Sequence, residues 1–181
     1  MLSDIEKVLI SRQRIAHRLK ELSAQIARDL DDLPDEAEIV LVPILTGSII
    51  FLADLIRQLP QKIRIEVVTV AGYPGKSMTS QGPQIIGALP DDLKDKHVLI
   101  VDDILDSGST LRLIREKLAS RQPKSLRACV LLRKQRQSAL DTPCEYVGFD
   151  IPDVFVVGYG LDYNNYYRNL PDIGTLRKEA L

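Results

Sequence analysis

The fold of this chain is decided by the stretch Val98-Leu99-Ile100-Val101-Asp102-Asp103-Ile104-Leu105-Asp106-Ser107-Gly108-Ser109-Thr110. Its first four residues are apolar, which predicts a buried strand of a parallel sheet. Two adjacent carboxylates end the strand, and a loop with a third acid, a glycine and three hydroxyl residues precedes an amphipathic helix from Leu111. Such loops bind phosphate because free backbone N–H groups meet there with the positive end of the helix dipole. Carboxylates repel phosphate unless they bind Mg²⁺ or sugar hydroxyls, so the stretch predicts one ligand that carries both phosphate and ribose.

The composition is typical of a globular protein. Of the 181 residues, 45% are hydrophobic and 27% are charged, and the net charge is −1. One domain is therefore predicted, and no nucleic-acid partner is expected. The two cysteines, Cys129 and Cys144, are too few for a disulfide framework. With no signal-type segment and no apolar run long enough to span a bilayer, the prediction is a cytoplasmic protein without a membrane partner.

Strand and helix patterns alternate through the middle of the chain. A capping-box pattern at Ser3-Asp4-Ile5-Glu6 and helical spacing of apolar residues predict a long first helix over about 4–30. The fold class is therefore α/β, with a mostly parallel twisted sheet flanked by helices. Strands are predicted at 38–45, 64–70, 84–88, 98–101, 126–132, 146–149 and 154–157, and further helices at 49–59 and 111–120.

A second candidate ligand loop follows the first core strand. Leu45-Thr46-Gly47-Ser48 lies between that strand and the next helix, at the edge where open parallel sheets bind ligands. A plain strand-to-helix turn is the alternative interpretation of this loop alone. From 71 to 83 the chain is rich in Gly, Pro, Ser and Thr, and a loop of this length inside a compact domain is typical of a mobile lid or of disorder.

The strand, Asp102-Asp103 and the run 106–110 resemble the diphosphoribosyl-binding signature of the type I phosphoribosyltransferases. A wider resemblance, over about 38–176, is to hypoxanthine(-guanine) phosphoribosyltransferases of the short bacterial kind. It implies a single domain over 1–181, with a type I phosphoribosyltransferase core at about 38–150. A small hood would form from the termini, at about 1–37 and 151–181, and a mobile lid at about 71–84. The segments that carry this resemblance are Leu45-Thr46-Gly47-Ser48, Leu131-Leu132-Arg133-Lys134 and VGFDIPDVFVVGYGLDYNNYYRNL at 147–170.

The resemblance implies an enzyme of purine salvage. Such an enzyme transfers the phosphoribosyl group of 5-phosphoribosyl 1-diphosphate (PRPP) to hypoxanthine, and also to guanine, with Mg²⁺ as cofactor. The products are IMP or GMP and pyrophosphate. A homodimer or homotetramer is also implied.

The resemblance also implies a role for each residue of the signature. Asp102 and Asp103 would hold the ribose hydroxyls directly or through Mg²⁺. Asp106 would be the catalytic residue, because an acid near the purine imidazole ring can take or share its proton as the glycosidic bond forms. The 5′-phosphate would be bound by the backbone N–H groups and hydroxyls of Asp106, Ser107, Gly108, Ser109 and Thr110.

Residues outside the signature would bind the base and the leaving group. Lys134 would donate a hydrogen bond to the exocyclic oxygen of a 6-oxopurine, which adenine lacks. Pyrophosphate would meet Thr46, Gly47 and Arg168, although Thr46 stands where the family usually has Lys or Arg. The remaining purine-binding residues would be Phe155, Val156 and Asp162, of which Asp162 would also bind Mg²⁺.

Alternatives stay open for these residues and for the function. Asp102 and Asp103 could cap the following turn, Asp106 could only shape its loop, Lys134 could be a solvated charge, and Phe155 could be a core residue. The protein could use another base, such as xanthine or uracil. It could also be a PRPP-sensing regulator that binds RNA, although the net charge of −1 gives this hypothesis little support.

Overall fold

A computed structural model describes residues 1–71 and 82–180 of the chain. Four α-helices lie within these ranges: α1 Arg12–Asp31, α2 Ile49–Ile56, α3 Ser109–Ala119 and α4 Gln137–Leu140. The strands of the same ranges are β1 Ile5–Ile10, β2 Ile39–Leu45, β3 Ile63–Ile65, β4 Val68–Ala71, β5 Gln84–Ile86, β6 His97–Leu105, β7 Ser125–Lys134, β8 Tyr146–Ile151 and β9 Ile173–Leu176.

The main sheet is mostly parallel, which confirms the predicted fold class. Its strands lie in the order β5-β4-β2-β6-β7-β8. The short strand β3 pairs with the first part of β2, and β4 pairs with the last part of the same strand. Strands β2, β6, β7 and β8 are parallel neighbours, whereas β5 pairs with β4 in the antiparallel sense. Since β2 and β6 lie side by side, the loops that follow them meet at one edge of the sheet, as the sequence predicted.

Helices cover both faces of this sheet. In β6, Leu99 and Val101 pack in the core cluster that contains apolar residues of α1 and α2. Val98 and Ile100 pack in the other cluster, with residues of α3 and α4. Alternate side chains of a strand point to opposite faces, so a strand buried on both sides must be apolar throughout.

The first helix begins later than predicted. Ile5–Ile10 is a strand that pairs antiparallel with β9, so the expected helix over 4–30 is wrong in its first part. The helix cap is Ser11, whose Oγ accepts a hydrogen bond from the backbone N–H of Arg14. The capping-box pattern is therefore not used, and Ser3 Oγ instead donates to Asp4 Oδ1 at 3.0 Å. The two ends of the chain meet in this small sheet, in the region predicted to form a hood.

Other elements also differ from the predictions, and three of the differences change the course of the chain. The run predicted as one strand at 64–70 forms two short strands, β3 and β4, which both pair with β2. The run predicted as a strand at 154–157 is loop, apart from a single bridge between Val157 and Gly174. The second helix ends at Ile56 rather than near Leu59. No helix of the described ranges is long and apolar enough to cross a membrane.

Candidate active site

The ends of β2 and β6 open into one cavity. It measures about 1430 Å³ including its open mouth. Of the predicted site residues, those that line it are Thr46, Gly47, Asp102, Asp103, Asp106, Thr110, Asp162 and Arg168. The structure thus brings together residues from the two strand-end loops and from the C-terminal segment.

The paired carboxylates lie at the floor of this cavity. Asp102 is only 6% exposed, and its Oδ1 accepts a hydrogen bond from the N–H of Asp103 at 3.0 Å. Asp103 Oδ1 accepts from the N–H of Ile104 at 2.9 Å. Burial raises the pKa of Asp102 well above its usual value, and the neighbouring charge of Asp103 raises it further. Burial also raises the pKa of Asp103, against the lowering effect of its hydrogen bonds and of the Arg168 charge. The pair is therefore suited to a cation or to hydroxyl donors, which would stabilise its ionised form.

The loop after β6 shapes an anion site. Gly108 has φ of +79° and precedes the first residue of α3, and its backbone position leaves no room for a side chain. A Cβ there would lie 2.0 Å from Thr142 Oγ1. Ser109 N–H contacts Ser107 Oγ at 3.3 Å, and the two serine hydroxyls are 3.0 Å apart. The start of an eleven-residue helix thus carries small hydroxyl side chains beside the N–H groups of its first turn, a combination that suits phosphate binding.

The loop after β2 approaches the carboxylates closely. The peptide bond between Leu45 and Thr46 is cis. Ser48 is fully buried, and its Oγ donates to Ile44 O at 2.6 Å, which fixes the loop. An ideal Cβ on Gly47 would lie 1.9 Å from Asp103 Oδ2. Only glycine fits at this position while Asp103 keeps its place.

The C-terminal segment contributes a charged pair to the cavity. Arg168 Nη2 lies 2.8 Å from Asp162 Oδ1, and Arg168 Nη1 donates to Gly160 O at 2.7 Å. Asp162 Oδ2 accepts from the N–H of Asn165 at 2.8 Å. Asn165 and its neighbour Asn164 both have positive φ and both line the cavity. The segment was predicted to supply Asp162 and Arg168, but its two asparagines were not singled out.

Beside the cavity lies a cluster of four charges that joins three loops. Lys134 Nζ is 3.0 Å from Asp106 Oδ2 and 3.2 Å from Asp153 Oδ1, and its side chain is 10% exposed. Arg136 Nη1 is 2.8 Å from Asp106 Oδ1, and Arg136 Nε is 3.7 Å from Asp153 Oδ2. Lys134 is therefore a buried, paired ammonium rather than a solvated charge. Arg136 and Asp153 were not predicted as site residues, because this contact joins residues far apart in the chain.

Phe155 and Val156 follow this cluster on the same loop. Phe155 is 48% exposed, so it is not a core residue. It contacts the Tyr163 ring edge-to-face, with centroids 5.7 Å apart at 82°. Val156 is buried. An exposed aromatic ring held by a second ring is a suitable surface for stacking of a flat base.

Six predicted residues, including Ser109 at the start of α3, and part of the predicted lid lie outside the cavity lining. Lys134, Phe155 and Val156 lie in the adjoining cluster and loop, and Ser107 and Gly108 lie in the loop that opens α3, just before Ser109. Of the predicted lid at 71–84, Ala71 and Pro83 line the cavity, but 72–81 fall outside the described residues.

Comparison with known proteins agrees with this geometry. A family model described as phosphoribosyl transferase domain matches residues 9–164. The chain is 44% identical over 168 residues to a hypoxanthine phosphoribosyltransferase of Salmonella typhimurium, with 93% of each chain covered. The chain belongs to the hypoxanthine(-guanine) phosphoribosyltransferase family. It is 43% identical to a hypoxanthine-guanine phosphoribosyltransferase of Staphylococcus epidermidis, covering 99% of this chain and 98% of the relative.

A solved structure shows the same fold. The crystal structure of a hypoxanthine phosphoribosyltransferase from Staphylococcus aureus superposes with a TM-score of 0.88 at 42% identity. The superposition covers 99% of this chain and 95% of the other. The phosphoribosyltransferase resemblance of the sequence is thus confirmed over nearly the full length.

Proposed function

We propose that this phosphoribosyltransferase moves the phosphoribosyl group of PRPP to hypoxanthine, and also to guanine, and releases pyrophosphate. The proposal rests on one observation: three parts of the site, namely the anion loop after β6, the paired carboxylates and the Lys134 cluster, meet at one edge of the sheet. Asp106 connects the three parts, because it belongs to the anion loop after β6, lines one cavity with the paired carboxylates and lies 3.0 Å from Lys134. One ligand with phosphate and ribose fits the first two parts, and a base with an exocyclic oxygen fits the third.

The sugar phosphate would be bound by the end of β6. The backbone N–H groups and hydroxyls of 106–110 would hold the 5′-phosphate at the start of α3. Asp102 and Asp103 would accept hydrogen bonds from the ribose hydroxyls. At the other side of the ribose, the N–H groups of Thr46 and Gly47 and the Arg168 guanidinium would bind the pyrophosphate that leaves.

The residues of the site fit Mg²⁺. Within the described ranges no three His, Cys, Asp or Glu side chains form a ready-made metal cluster. Mg²⁺ commonly binds through one or two carboxylates and completes its shell with substrate phosphates and water. Asp102 and Asp103 would hold Mg²⁺ on the ribose side of the site, and Asp162 would hold a Mg²⁺ that also binds the pyrophosphate. Bound there, Mg²⁺ would neutralise negative charge that develops on the pyrophosphate.

The base would lie beside Asp106 and Lys134. Lys134 would donate to the exocyclic oxygen, Phe155 would stack on the ring, and the Val156 backbone would bond the ring edge. As a ring nitrogen of the purine bonds to the ribose carbon, pyrophosphate leaves and the proton of the imidazole ring passes to Asp106. In this step Asp106 is the proton acceptor, pyrophosphate is the leaving group, and the new bond joins the purine nitrogen to the ribose carbon.

We further propose that the enzyme acts in the cytoplasm as a homodimer or homotetramer. The α2 residues Ile49 and Ile50 are 45% and 36% exposed. They follow directly on the pyrophosphate loop, and Ile50 lines a surface cavity with Arg168. An apolar helix face beside the active site supports contact with a second copy. Sedimentation velocity would test this assembly.

Steady-state rates with a panel of bases test the proposed function. With PRPP and Mg²⁺, hypoxanthine or guanine is expected to give the highest kcat/KM, because each carries the 6-oxo group that Lys134 would bind. Turnover with uracil alone would favour the other-base hypothesis. Salt-dependent RNA binding without pyrophosphate release would favour the regulator.

A further inference from the structure

Asp153 lies where two neighbouring strands end. It follows β8, and Lys134 is the last residue of β7, the strand parallel to it. The turn is fixed by the N–H of Val154, which donates to Pro152 O at 2.8 Å. The Asp153 carboxylate thereby meets the Lys134 ammonium at 3.2 Å. This contact ties the loop that carries Phe155 to the side chain proposed to bind the 6-oxo group.

An ammonium group has three N–H donors. In this structure Lys134 donates one hydrogen bond to Asp106 at 3.0 Å and forms an ion pair with Asp153 at 3.2 Å. We propose that Asp153 is a positioning residue for base recognition, which together with Asp106 fixes Lys134 so that another N–H of its ammonium group can meet the substrate carbonyl. This inference rests on the proposed function of the site.

Asp106 cannot anchor Lys134 through the whole reaction. When Asp106 takes the proton of the purine ring it becomes neutral, and its attraction for the ammonium falls. Both carboxylates also contact Arg136 through their other oxygen, Asp106 at 2.8 Å and Asp153 at 3.7 Å. Asp153 keeps its charge throughout, because it is not proposed to exchange a proton with the base. It therefore holds Lys134 against the 6-oxo group while the charge on Asp106 changes.

The chain offers a matched control for Asp153. Asp150, in β8, pairs with Arg133 of β7 through two hydrogen bonds of 2.7 and 3.2 Å. The exposed fractions of the two aspartate side chains are similar, 43% for Asp150 and 47% for Asp153. Both carboxylates thus pair with a cation of the same neighbouring strand, but Asp150 forms no hydrogen bond or ion pair with Lys134 in the described structure.

The test compares Asp153→Ala, Asp153→Asn and Asp150→Ala with the wild type. In Asp153→Ala the KM for hypoxanthine should rise roughly fivefold, because a partly exposed ion pair that positions Lys134 is lost. The KM for PRPP should stay within about twofold in the same assay. Asp153→Asn keeps an acceptor oxygen and should recover part of the loss. Asp150→Ala should match the wild type in both constants.

Two results would overturn the role of Asp153. The first is an Asp153→Ala variant with unchanged KM for hypoxanthine; the second is an equal rise in both KM values, which would indicate a general distortion. If Asp153→Ala does not fold, Asp153→Asn carries the same comparison. A wild-type enzyme that releases no pyrophosphate with any base would instead contradict the proposed function. Failure of the Asp153 role and failure of the proposed function would therefore give different results.

Discussion

Replacement of Gly47 by alanine tests the link between the two strand-end loops. The added Cβ would lie 1.9 Å from Asp103 Oδ2 and 2.6 Å from Asp103 Cγ, whereas ordinary contact begins at 3.4 Å. The carboxylate oxygen, or the loop itself, must therefore move by about 1.5 Å. A carboxylate that moves this far loses its 2.9 Å hydrogen bond from the N–H of Ile104.

A displacement of this size should be costly for catalysis. A shift of about 1 Å in a positioned group can cost roughly 100-fold in rate, which corresponds to about 2.7 kcal/mol. We expect Gly47→Ala to lower kcat/KM for PRPP by about this factor. Stability should change less, because the clash is with the end of a side chain in an open cavity rather than with the packed core.

Three measurements separate these effects. Pyrophosphate release at saturating base gives kcat/KM for PRPP, thermal unfolding reports stability, and circular dichroism checks the fold. A folded variant with kcat/KM within about threefold of the wild type would refute the argument, because Asp103 would then have no required position.

Other substitutions address the base site and the opposite end of the sheet. Asp106→Asn should lower kcat about 100-fold or more with little change in the KM for PRPP, since a proton acceptor is lost while the anion loop remains; unchanged turnover would remove its assigned role. Lys134→Ala should raise the KM for hypoxanthine more than that for PRPP, and equal losses would count against a base contact. His97 is 8% exposed and burial lowers its pKa below 6.5, so the free energy of unfolding should fall as the pH drops below 6.5. His97→Gln should remove this dependence in urea unfolding at several pH values, whereas His17→Gln, at a residue with a 78% exposed side chain, should retain it.

Local sequence was sufficient for the central strands but not for the ends of the chain. The runs that became β2, β6 and β7 are apolar because both faces are covered, and this pattern is visible without knowledge of the partners. Ile5–Ile10 forms a strand because it pairs with β9, more than 160 residues away. Its apolar spacing fits a helix equally well, so only the distant partner decides between them.

The distinction between local pattern and distant contacts also applies to the candidate active site. The order of Asp102, Asp103 and 106–110 along one strand and loop is a local property, and it indicated a phosphate and a ribose before any fold was known. The contact of Lys134 with Asp153 depends on the pairing of β7 with β8 and on a turn after β8. No spacing in the sequence encodes that contact, so Asp153 and Arg136 were missed.

The most direct test of the central claim is a product balance. With PRPP, Mg²⁺ and hypoxanthine, the account predicts that IMP and pyrophosphate form in equal amounts, and that both stop when either substrate is omitted. Pyrophosphate release that is independent of the base, or no IMP with hypoxanthine or GMP with guanine, would contradict it.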